Sequence, residues 1–158
     1  MSHDRTGKGL HFYRVSEEIN GGFFRPATGS ANSIALIESF YNSGKLVAAV
    51  CHAPAVLHRV IYKGAYEGAP IVEGEHVTGF ANTEEEEVQL THVVPFLVEE
   101  ELKRLGGIFE KAPNWQSFVI TDGRLITGQN PASSTAGAEA LLKLFAGTQT
   151  GSSASSGA

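Results

Sequence analysis

The apolar positions of this chain change rhythm several times, and each change predicts an element. Ile34, Leu36, Ile37, Phe40 and Tyr41 recur at helical spacing; Asn32 or Ser33 can cap the start, and Gly44 can end the helix. The run Leu46-Val47-Ala48-Ala49-Val50 has no polar alternation and predicts a strand buried on both faces, as at the centre of a parallel sheet. After Cys51, residues 53–57 read as the first turns of a helix, with Pro54 near its first position, where a missing N–H costs nothing. A turn-rich loop over 63–70 leads through Ile71-Val72 to a strand over 76–80.

Asn82 or Thr83 can cap the acidic turn Glu84-Glu85-Glu86-Glu87, whose carboxylates suit the positive end of a helix. A further helix is expected from about Val94, with Pro95 early, to Leu105, stopped by Gly106-Gly107. Strands over 117–121 and 125–127 flank Asp122-Gly123-Arg124, a strong hairpin signal. Ser133 and Ser134 can cap a final helix over 135–145, and residues 147–158, built almost wholly of Gly, Ser, Thr and Ala, are expected to be disordered. Residues 1–32 are glycine-rich and atypical, with at most one short helix or strand around 10–19. The organisation expected is one α/β domain over residues 1–146 followed by that tail.

Charge and composition narrow the functions. A net charge of -5 with no basic cluster argues against a nucleic-acid or anionic-membrane partner. The chain begins with polar residues and holds no apolar run of membrane-spanning length, and its single cysteine excludes an internal disulfide framework, so a cytoplasmic protein is expected. No His-Glu-x-x-His or paired-cysteine pattern suggests a metal, and Gly7-Lys8-Gly9 is too short for a nucleotide-binding loop. His58 and His92 fall on expected helices and read as packed or solvated side chains.

Cys51 is where chemistry concentrates. A strand that turns sharply into a helix holds its turn residue at the carboxyl edge of the sheet and aims it at a helix amino end, whose partial positive charge suits an anion. The pattern is similar to the strained elbow that presents nucleophiles in α/β hydrolases. A buried, inert cysteine is the alternative. His52 is a candidate proton carrier, although neighbours in sequence do not ordinarily share a face; its backbone N–H is a candidate oxyanion donor. The acidic turn is either a solvated helix start or the source of a carboxylate that orients His52.

Four segments in order carry a resemblance: Lys45-Leu46-Val47-Ala48-Ala49-Val50-Cys51-His52-Ala53-Pro54-Ala55, Val77-Thr78-Gly79-Phe80-Ala81-Asn82-Thr83-Glu84-Glu85-Glu86, Val94-Pro95-Phe96-Leu97-Val98-Glu99, and Thr121-Asp122-Gly123-Arg124-Leu125-Ile126-Thr127-Gly128-Gln129-Asn130-Pro131-Ala132-Ser133-Ser134. Together they resemble the ThiJ/PfpI superfamily, in its heat-shock chaperone and glyoxalase III branch. The resemblance implies a class I glutamine-amidotransferase-like, flavodoxin-like α/β sandwich with a mostly parallel central sheet. Its amino-terminal strands are expected to be partly missing here, because the segment before Ser33 is short.

The resemblance also implies roles. Cys51 would be the nucleophile, His52 its partner, and Glu85, with Glu84 as the near alternative, the acid that orients the histidine. Glu18, or Glu17 beside it, would be a proton-moving glutamate; Gly22, in the pair Gly21-Gly22, would join His52 as an oxyanion donor. The activity implied is conversion of a small 2-oxoaldehyde, methylglyoxal, to lactate without metal, glutathione or other cofactor, in a chain able to form a homodimer. A redox-sensing chaperone or holdase of the same superfamily, and an inactive truncated remnant, are the rival outcomes.

Overall fold

The computed structural model describes residues 31–63 and 67–150, the side chains of 148–150 excepted. The first helix, α1 (Ala31–Asn42), buries Tyr41 and Glu38 on its inner face. Gly44 ends it at φ +81°, with the Gly44 and Lys45 N–H groups returning to the carbonyls of Tyr41 and Phe40. A short link leads into β1 (Val47–Val50), after which Ala53–Arg59 form a 3₁₀ segment with Pro54 in its first turn, rather than an α-helix.

The main sheet has the order β1-β5-β4, where β4 (Val119–Asp122) and β5 (Leu125–Gly128) are the predicted hairpin. β1 pairs with β5 in parallel, Val47 opposite Leu125, and β4 pairs with β5 antiparallel. Asp122 faces Leu125 across the turn, so the loop is Gly123-Arg124 and Gly123 takes the positive φ, +52°. β5, buried at all four positions, is the inner strand. β1 is not buried on both faces as its composition predicts: Val47 and Ala49 point into the core while Ala48 is exposed. Small apolar residues fit either environment, so the run could not tell an inner strand from one whose ladder, among the described residues, lies on one side.

A second, two-stranded parallel sheet pairs β2 (His76–Val77) with β3 (Ile108–Phe109). β2 is shorter than predicted because the next N–H groups leave the ladder. Thr78 donates to the Thr127 hydroxyl at 2.9 Å and Phe80 to the Cys51 carbonyl at 2.9 Å. The acidic turn is α2 (Asn82–Glu87), and neither Asn82 nor Thr83 caps it; the extended cap residue is Ala81. The predicted cap is displaced because carboxylates take its work. Glu84 accepts from the Ala81 N–H and Glu99 from the Asn82 N–H.

Helix α3 (Val98–Arg104) starts four residues later than predicted. Val93 and Val94 instead donate to the Leu90 carbonyl in a turn, and Leu97 is extended at ψ 130°. The final helix, α4 (Ser134–Thr150), follows a 3₁₀ turn at Pro131–Ser133 and continues through residues 147–150, where composition alone predicts disorder. Extending an existing helix adds a hydrogen bond per residue without a new nucleation cost. Residues 1–30, and with them the predicted short element around 10–19, lie outside the described residues, as do residues 151–158.

One core joins these parts. Leu57 and Val60 from the 3₁₀ segment, Val72, Val77, Val98, Leu102 and Leu125 are almost fully buried against one another, each contributing roughly 1.5–3 kcal/mol of transfer free energy. Gly79 is needed at its tightest point, since a Cβ there would lie 2.8 Å from Val98 Cγ1 and 3.5 Å from Pro54 Cβ. The elbow and α3 are thereby held together. No described helix is long and apolar enough to cross a membrane.

Candidate active site

Cys51 stands where β1 stops, with φ +66°, a left-handed conformation that costs a non-glycine residue roughly 1–3 kcal/mol unless its surroundings impose it. Here they do. The Cys51 N–H donates to the Gly128 carbonyl at the end of β5 (2.9 Å), and its own carbonyl accepts from Phe80 (2.9 Å). The fit around Gly128 is close: a Cβ there would lie 3.0 Å from both Val50 Cγ2 and Ser133 Cβ. Two flanking segments thus hold one peptide, and the half-buried thiol is turned out of the strand.

That bend overrides the usual divergence of sequence neighbours. His52 Nδ1 lies 3.4 Å from Cys51 Sγ, and His52 Nε2 lies 2.8 Å from Glu85 Oε2. The His52 side chain is 18% exposed and that of Glu85 2%, so the relay runs from the rim of the site inward. Burial by itself disfavours the imidazolium, but hydrogen bonds to Cys51 and Glu85, with their charges, outweigh it and raise the His52 pKa to about 9. Glu85 Oε1 is buried without a hydrogen-bond partner among the described residues.

Glu84, the near alternative, faces elsewhere. Its Oε1 accepts from the Trp115 N–H (2.8 Å), Gln129 Nε2 (3.1 Å) and Asn130 Nδ2 (2.8 Å), and its Oε2 from Ala81 (3.1 Å). Of the two acids left open by the sequence, Glu85 reaches His52. Glu17, Glu18, Gly21 and Gly22 lie outside the described residues. His58 packs on the Phe96 ring (5.0 Å between centroids) and lies 3.4 Å from Glu101, and His92 is exposed in a turn. Among the described residues no group of three or more His, Cys, Asp or Glu side chains converges as a metal cage.

Two aromatic residues complete the surroundings. Phe80 lies on the His52 ring, centroids 4.1 Å apart and planes 30° from parallel, and Trp115 meets Phe80 edge-on at 5.8 Å. Phe80 was within reach of sequence reasoning as part of the strand before the acidic turn. Trp115 was not: nothing in its neighbourhood predicts its φ of +64°.

A thiol lifted at a strand-to-helix elbow, beside a histidine held by a buried carboxylate, defines an α/β protein of the nucleophile-elbow class. The DJ-1/PfpI family model matches residues 19–144, and the chain belongs to the DJ-1/PfpI family. It is 37% identical over 112 residues to the probable glutathione-independent glyoxalase hsp3103 of Schizosaccharomyces pombe, covering 68% of this chain and 43% of that relative. It is 36% identical over 104 residues to the glutathione-independent glyoxalase HSP31 of Saccharomyces cerevisiae, covering 62% and 43%. The crystal structure of glyoxalase III from Candida albicans superposes with a TM-score of 0.68 at 25% identity, over 75% of this chain and 51% of that one. The chain therefore spans about half the length of the relatives it matches.

Proposed function

We propose that the protein is a glutathione-independent glyoxalase of the glyoxalase III type, turning methylglyoxal and water into lactate. The observation that carries this reading is the relay itself: Cys51 Sγ, the two nitrogens of His52 and Glu85 Oε2 in continuous contact at 3.4 and 2.8 Å. The names of its relatives support the substrate class. In this reading Cys51 gives its proton to His52, and the thiolate adds to the aldehyde carbon. The resulting oxyanion takes a proton to become a hemithioacetal. The oxyanion donors assigned by resemblance are the His52 backbone N–H and Gly22.

Glu18 or His52 then removes the hydrogen from the former aldehyde carbon, giving an enediolate, and returns a proton to the neighbouring carbon. The product is a lactoyl thioester on Cys51, which water hydrolyses to lactate and free thiol. Glu85 keeps the imidazole oriented throughout and stabilises its protonated form. No metal or glutathione enters the balance. The single cysteine suits a reducing, cytoplasmic setting.

The test is lactate formation from methylglyoxal by the purified chain beside its Cys51→Ser counterpart. Turnover by the parent and none by the variant is expected. Lactate made equally fast by both would overturn the assignment.

A further inference from the structure

Trp115 combines three properties that rarely meet in one residue. It carries a bulky side chain at φ +64°, the residue remains 41% exposed, and it stands one aromatic ring away from His52. Its conformation is imposed from α2. The Trp115 N–H donates to Glu84 Oε1 at 2.8 Å, its indole Nε1–H donates to Glu87 Oε2, and the preceding Asn114 donates to Glu87 Oε1 at 2.7 Å. Thr83 adds a fourth tie, its hydroxyl donating to Asn114 Oδ1 at 2.6 Å. The helix that supplies Glu85 to one edge of the His52 ring thus also supplies the clamps that hold the indole against Phe80, on the face of that ring.

Such an arrangement has a use. Swinging of the imidazole about its bond to Glu85 lengthens the 3.4 Å contact from Nδ1 to Cys51 Sγ. Phe80, lying on the ring face, opposes that motion while it stays seated. Its outward neighbour is Trp115. We propose that Trp115 is a positioning residue for the Cys51–His52 pair, its clamped indole keeping Phe80 seated on the imidazole so that Nδ1 stays on the thiol.

This inference deepens the glyoxalase reading and rests on the same site, so its experiment reads the pair without turnover. The full chain and its Trp115→Ala, Trp115→Phe and Glu87→Ala variants are alkylated with iodoacetamide across pH 5–10, with loss of the free Cys51 thiol followed by mass spectrometry. Lactate formation and thermal unfolding are measured in parallel. Trp115→Ala should slow alkylation at neutral pH by about tenfold and lower kcat by a similar factor, with KM nearly unchanged, since a ring out of place costs rate rather than binding. Trp115→Phe, which keeps an aromatic edge on Phe80, should recover most of both. Glu87→Ala frees the indole without touching the Glu84 clamp and should shift the profile in the same direction.

Should Trp115→Ala not fold, Glu87→Ala decides alone, since Glu87 lies on the surface. Folded variants whose alkylation profiles superpose on the parent's would overturn the proposal. A parent that makes no lactate would count against the glyoxalase reading, while the alkylation profiles would still decide the role of Trp115.

Discussion

Glu84 and Glu85 are adjacent on one short helix and equally hidden, at 0% and 1% exposure, yet their surroundings differ in kind. Glu84 meets four donors, all uncharged, on three separate segments. It ties α2 to the loops that follow β3 and β5. Glu85 meets one ring nitrogen with one oxygen and, among the described residues, leaves the other oxygen unmatched. A saturated buried carboxylate is a structural tie, whereas one that spends a single oxygen on a histidine of raised pKa is placed to orient and stabilise an imidazolium. The comparison teaches that burial alone does not tell two acids apart; the accounting of their lone pairs does.

The sharpest way to break this comparison is Glu85→Gln. It should cost only roughly 1–2 kcal/mol of stability, the share of the raised His52 pKa that Glu85 supplies, yet cut lactate formation by roughly a thousandfold, because an amide cannot hold and stabilise the imidazolium as a carboxylate does. A variant with near-parental kcat would show that Glu85 has no such role. Glu84→Ala should do the reverse to the fold. It takes the side-chain acceptor from the Trp115 and Ala81 N–H groups and one of two acceptors from each of the Gln129 and Asn130 amides, for a loss of roughly 4 kcal/mol in denaturant unfolding. Equal stability would mean those donors find other partners.

The pH dependence comes next in size. Because the folded-state pKa of His52 is raised to about 9, protonated His52 contributes stability in full below its ordinary value near 6.5, and that contribution is lost as pH climbs through 9. The loss is at most roughly 3–4 kcal/mol. It should shrink in Cys51→Ser and in Glu85→Gln, each of which removes one group that raises the His52 pKa, and a histidine titration followed by NMR in the three proteins checks the order. The smallest effect is expected from Gly79→Ala. Its new methyl enters the space held by Val98 and Pro54 and should cost about 2 kcal/mol through overpacking, with chemistry at Cys51 little changed.

Much of this site was legible before the fold was seen. An apolar run ending in Cys51 with Pro54 close behind marks the elbow from residue types and spacing, whereas the acidic turn after a strand reads equally as a solvated helix start, and only the resemblance implies a partner for His52 there. The choice between Glu84 and Glu85 was not legible, because consecutive positions on a helix this short can both be buried when loops pack on either side. The caps misled for a related reason: Asn82 and Thr83 are good cap residues, but buried carboxylates from Glu84 and Glu99 had already taken the donors. β1 was misplaced because alanine and valine do not record which face meets water. Trp115 was invisible, since its strained backbone is imposed by contacts from residues 83, 84 and 87, which lie about thirty positions earlier.

The indole beside Phe80 is the sole tryptophan in all 158 residues. Excited at the red edge of its absorption, the protein therefore emits from one chromophore two rings from the Cys51 sulfur, and any event at Cys51 that displaces Phe80 is reported optically, without a label, against a dark background.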